Sequence, residues 1–153
     1  MDIDERSARL IGWLEVVRQE VENLLLRQHI FEELRSLVRA NEKFSSASGL
    51  FNEWMALSYA QSATVGVRRH FKVGNDSVSL KRCLEEIQKY PELVSRDFYL
   101  AFFAESPEWV TSTMGHKYFD SITDKTGQHI AVHVVEKQLA DLEAAAGLIE
   151  HYA

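Results

Sequence analysis

The chain has 153 residues, 46% of them hydrophobic and 26% charged, with 7 Gly and 2 Pro. This composition fits one globular domain over 1–153 and excludes low-complexity and collagen-like chains. A formal net charge of -6 and a pI of about 5.5 argue against a protein that grips nucleic acid by bulk electrostatics.

The longest apolar runs, NLLLRQ and YLAFFA, fall far short of the roughly 20 residues that span a bilayer, so no membrane partner is expected. The start MDIDERSARL is acidic and polar and lacks the basic, then apolar, pattern of a secretory signal, which makes a cytoplasmic address the expectation. Cys83 is the single cysteine, so neither an internal disulfide nor a cysteine-based metal cluster can form. On an apolar helix face it reads as a small core residue rather than a nucleophile.

Leu10, Leu14, Val17, Val21 and Leu24, then Phe31, Leu34 and Val38, recur in steps of three and four. They predict one long helix, or two in line, from about Asp4 to Ala40. NEKFSSASG supplies the small polar residues of a connection. A second helix is predicted from Leu50 to near Phe71, with Phe51, Met55, Ser58, Ser62 and Val65 along one stripe and Trp54 and Leu57 beside it. KVGNDS is a turn in which Asp76 or Ser77 can cap the next helix. That third helix runs through Leu80, Leu84 and Ile87 and is closed by Pro91. SRDFYLAFFAE fits either a helical turn or an extended stretch. A fourth helix starts with Ser106 as cap, Pro107 at the first helical position and Glu108 at the positive helix end, with Val110, Met114 and Tyr118 inward. After a loop containing Gly127, a last helix begins near Val134 and carries Val135, Leu139, Leu142, Ala146, Ile149 and Tyr152 on one face. No stop signal comes after it, so it either frays at Ala153 or continues into a longer chain. Strand-like alternation is nowhere sustained. The fold class is all-α: a bundle of about five helices, two or three of them long and nearly antiparallel.

His129 and His133 stand four apart, a spacing that two metal-ligating imidazoles can use, but no third ligand is apparent and no HExxH occurs. Two surface histidines are the simpler reading, and no metal or cofactor is expected. Arg68 and Arg69 close the second helix, where cations suit the helix dipole. They can brace the turn against a carboxylate such as Asp76 or Glu85, or grip phosphate with the guanidinium fork. Basic residues gather around them in VGVRRHFK and again in SLKRC. Trp54, Trp109, Phe98, Phe102 and Phe103 read as core rather than as a base-stacking platform. No GxxxxGK[ST], GxGxxG or GxSxG occurs.

The segments GVRRHFKVGNDSVSLKRCLEEI, KYFDSITDKTGQHI and VVEKQLADLEAAAGLIEHYA, taken together and in this order, resemble the abortive-infection (AbiU-type) branch of the HEPN superfamily. These are small helical bacterial proteins related to ribonuclease toxins and phage-defence proteins. The resemblance covers about Asn52 to Ala153. It matches Arg68 and Arg69 to the family's RR, as substrate-binding residues, and Ser77, Ser79 and Leu80 to its SxSL helix start. Where the family often has an acid soon after RR this chain reads HFK, which leaves Asp76 as the substitute.

In that superfamily the last helix continues from YA into a charged residue and then an Arg and a His four to six residues apart, the ribonuclease pair. That pair supplies proton transfer and stabilises the developing charge at phosphorus. No residue here matches it, so a metal-independent endoribonuclease is implied by the resemblance only if the chain continues past Ala153. The resemblance also implies a homodimer, association with RNA and an antitoxin protein as partner, in a bacterial defence or toxin–antitoxin system. The alternative is a non-enzymatic helical module that dimerises or binds a protein through an apolar face of its terminal helices.

Overall fold

The computed structural model describes residues 2–41, 49–72, 74, 77–124 and 127–151, with side chains through residue 148. Among the described residues the chain is all-α. Helix α1 is Ile3–Ala40, α2 is Gly49–Phe71, α3 is Leu80–Lys89 and α4 is Arg96–Ala101. Helix α5 covers 108–122 and α6 is Val132–His151. A 3-10 turn at Pro91–Leu93 joins α3 to α4. The stretch SRDFYL, readable as helix or extended chain, is helical from Arg96 because the Ser95 hydroxyl accepts a hydrogen bond from the Phe98 N–H. Most of the NEKFSSASG connection lies outside the described residues, as do Val73, Asn75 and Asp76 of the turn after α2.

Helices α1 and α2 form an antiparallel hairpin. Glu20 meets Arg69 and His70, Leu24 meets Gly66, Arg27 bonds Ser62, and the rings of Phe31 and Tyr59 stack 4.2 Å apart. As the number rises along α1 it falls along α2, which only antiparallel helices produce. Gly66 marks the closest approach: a Cβ there would stand 2.5 Å from Leu24 Cδ2.

The inner face of α2 runs through Asn52, Met55, Tyr59, Ser62, Gly66 and His70, so the expected stripe holds at Met55 and Ser62 and fails at Phe51, Ser58 and Val65. Phe51, Trp54, Leu57 and Val65 point outward and are exposed. A second correction concerns α5. It begins at Glu108 with Pro107 as an N-cap that makes no side-chain bond, so Ser106 does not cap. Helical turns at Glu108–Val110 and Lys117–Ile122 flank a π-helical stretch, Thr111–His116, after which the Lys117 N–H bonds the Ser112 carbonyl five residues back. The wider turn takes up an extra residue. It rotates Gly115 and Phe119 inward and leaves Met114 and Tyr118 exposed, reversing the expected register.

The core lies where α3 and α6 close over the first half of α1. It is built from Leu10, Val17, Cys83, Ile87, Leu93, Val94, Phe119 and Val135. Arg6 and Arg9 both reach Glu86, at 3.0 and 2.6 Å, and tie α1 to α3. Gly127, at φ +72°, turns the loop ahead of α6 in a conformation that favours glycine. That loop is then threaded between two segments, with the Ile130 N–H on the Val94 carbonyl and the Ala131 N–H on that of Ile122. No helix among the described residues is long and apolar enough to cross a membrane.

Candidate functional site

The basic residues singled out in the sequence meet at one corner, where α2 ends, the chain turns and α3 begins. Ser79 is the N-cap of α3: its hydroxyl accepts the Arg82 N–H at 3.2 Å, and the residue is fully buried. Ser77 has a different task, closing the turn by accepting the Gly74 N–H at 2.9 Å while its own N–H reaches the Gly74 carbonyl. Arg82 donates to the carbonyls of Gly74 and Ser77 and lies 4.6 Å over the Trp13 ring, which fixes the turn against α1. Asp76, expected as a cap or as the partner of an arginine, lies outside the described residues.

Arg68 and Arg69 diverge, as neighbours on a helix must. Arg69 pairs with Glu20 of α1 at 3.0 Å, so its bracing carboxylate is Glu20 rather than Asp76 or Glu85, and it ties the hairpin rather than the turn. Arg68 turns to the opposite side, where it lines a cleft of about 230 Å³ with Phe71, Lys72 and Lys81 on one flank and Leu142, Glu143 and Gly147 of α6 on the other. Lys81 donates to Glu143 at 2.8 Å, and that hydrogen bond holds its ammonium above the usual lysine range. Among the described residues neither Arg68 nor Lys72 has an ion-pair partner. Lys72 also lines an adjoining cleft of about 400 Å³ with Arg69, Gly74, Ser77 and Val78. The two clefts share Lys72 and form a basic rim around the corner.

His70, next to the arginine pair, is buried, and neither ring nitrogen has a hydrogen-bond partner. Glu20 Oε2 lies 3.7 Å from its Nε2, too far for a hydrogen bond. Burial pushes the imidazole pKa below its ordinary value, with Glu20 opposing and Arg69 adding to the effect. Cys83 sits in the core with its thiol pushed up to about 11 by burial, which makes it unreactive at neutral pH.

The histidine pair does not converge on a ligand. His129 is half-buried in the loop before α6 and His133 is exposed in its first turn. Among the described residues no three His, Cys, Asp or Glu side chains group as metal ligands. A residue that spacing gave no reason to notice is Arg96. It bonds the Gly127 carbonyl at 2.9 Å and Asp120 at 2.5 Å, and its guanidinium lies 4.9 Å over the Phe119 ring. Those partners, spread from 24 to 31 residues along the chain, give it a structural role in joining α4, α5 and the loop. Of the aromatics expected in the core, Trp54, Trp109 and Phe102 are exposed, whereas Phe98 packs against the core.

What the fold and this corner define is an all-α protein with a local cationic rim on an acidic chain. No protein-family profile, curated protein or solved structure matches the chain.

Proposed function

We propose that this chain is a HEPN-like helical protein of a bacterial defence or toxin–antitoxin system that associates with RNA by binding its phosphates at the α2–α3 corner. The observation that carries the reading is the pair Arg68 and Lys72, cations without an ion-pair partner among the described residues, standing with Lys81 around one cleft. The guanidinium fork of Arg68 and the ammonium of Lys72 suit phosphodiester oxygens, with Lys81 held beside them by Glu143, and local charge of this kind positions a backbone even on an acidic protein. The corner is rigid: Ser79, Ser77 and Arg82 fix the turn, and Glu20 holds Arg69. Binding, not cleavage, is the activity assigned to the described residues, because the imidazole beside Arg69, that of His70, is buried and lines neither cleft, so it is not placed to serve a bound phosphate as acid or base. An antitoxin-type protein is the partner that this reading adds.

The test is binding of a fluorescent single-stranded RNA at graded salt. Contact with about two phosphates gives a log–log slope near -1.4, a loss of roughly sevenfold between 50 and 200 mM salt. Arg68→Ala with Lys72→Ala is expected to weaken binding at least tenfold and flatten the slope. Equal affinity of the double variant and the parent chain would remove the reading.

A further inference from the structure

The seam of the α1–α2 hairpin opens into a cleft beyond the stacked rings of Phe31 and Tyr59. The register set by Leu24 on Gly66 and Phe31 on Tyr59 brings Arg35 level with Met55 and Val38 level with Asn52. These residues, with Arg39 one turn further along α1, line a space of about 330 Å³. Small-molecule sites are concave, mostly apolar and fitted with a few placed polar groups. This cleft meets that description: Phe31, Val38 and Met55 are half-buried in its walls.

Two features set it apart from an idle seam between helices. Asn52 Oδ1 is buried and receives no hydrogen bond, a state that folded proteins rarely leave uncompensated. The cleft also carries two cations and, among the described residues, no acid. Arg35 stands 3.7 Å from Glu32, too far for a hydrogen bond, and Arg39 has no ion-pair partner among the described residues. Four residues apart on α1, the two guanidinium groups rise from one side of the helix on successive turns.

We propose that this cleft binds a small planar aromatic acid whose ring carries an N–H donor. The carboxylate meets the guanidinium forks of Arg35 and Arg39, whose flat geometry matches it. The ring lies against Phe31 and Met55, where a thioether makes favourable contact with an aromatic edge. Its N–H donates to Asn52 Oδ1 and supplies the missing hydrogen bond. An acid without that donor satisfies the arginines and leaves Asn52 unpaired, so Asn52 sets the specificity. The cleft lies apart from the α2–α3 corner, and the proposal stands independently of RNA binding.

The experiment is calorimetric titration of the full chain with indole-3-acetate. Saturable binding is expected with a Kd of about 1 mM or tighter, the range open to a ligand of this size. Indole lacks the anion and 1-methylindole-3-acetate lacks the donor; each is expected to bind about tenfold more weakly. Arg39→Ala is expected to weaken indole-3-acetate about tenfold, while Arg18→Ala, whose guanidinium pairs with Glu15 and Glu22, binds as the parent chain does. In Asn52→Leu the two indole acids are expected to bind alike, with helicity by circular dichroism unchanged. Should Asn52→Leu unfold, Asn52→Ala is expected to give the same loss of discrimination. Absence of saturable binding up to about 10 mM acid overturns the proposal. So does an affinity for indole-3-acetate that Arg39→Ala and Asn52→Leu both leave unchanged.

Discussion

The two halves of the long hairpin carry similar side chains and meet opposite fates. In the proximal half Leu10 and Val17 disappear under α3 and α6, while in the distal half Leu26, Ile30 and Leu37 stand largely in water. Nothing in the residue types separates these two groups. What differs is whether another helix of the same chain is available to cover them, so the apolar pattern of α1 reports the helix and not the burial of each residue along it.

Breaking the proximal half is expected to have the largest effect. Phe119 is fully buried beneath Arg96 and Tyr99, and Phe119→Ala is predicted to cost about 3–5 kcal/mol, read as the shift in urea midpoint. Next comes Glu86, which receives both Arg6 and Arg9 at the α1–α3 contact. Glu86→Ala strands two arginines and is expected to cost about 2 kcal/mol, less than a fully buried pair because these side chains keep some solvent contact.

The smallest effect is tied to pH and belongs to the boundary between the halves. His70 is held neutral, since burial lowers its pKa from 6.5 despite Glu20, and Arg69 works in the same direction. The unfolded chain therefore binds more protons between the ordinary pKa and the lowered one. Stability is complete above about pH 6.5 and declines as the pH falls toward the folded-state value. His70→Phe is expected to flatten that slope between pH 7 and 5 in thermal melts, and an unchanged slope would show that another group sets it.

Much of the fold was legible because steps of three and four report helices directly: α1 and α2 begin and end within a residue of where spacing places them. The failures have physical causes. In α2 the expected stripe holds at Met55 and Ser62 but places Phe51 and Val65 inward, whereas the seam there uses Asn52 and Gly66, small or polar neighbours that let the helices approach. In α5 a count at 3.6 residues per turn puts Met114 inward; the π-helical stretch changes that count, and no residue in TSTMGH announces it.

At the candidate site, Arg68 and Arg69 were identifiable as a pair. Their divergence toward α6 and α1 was not, because it depends on which helices flank α2. Arg96 was invisible for the same reason: its partners Gly127 and Asp120 come near only through the tertiary fold.

The contrast between the halves is tested most directly by native-state hydrogen exchange of the full chain. Amides of α3 and of the α1 turns around Leu10 and Val17 are expected to be protected at least tenfold more strongly than those of 26–40 and 50–58. Equal protection of the two halves of the hairpin would contradict the claim that only the proximal half is held by a core.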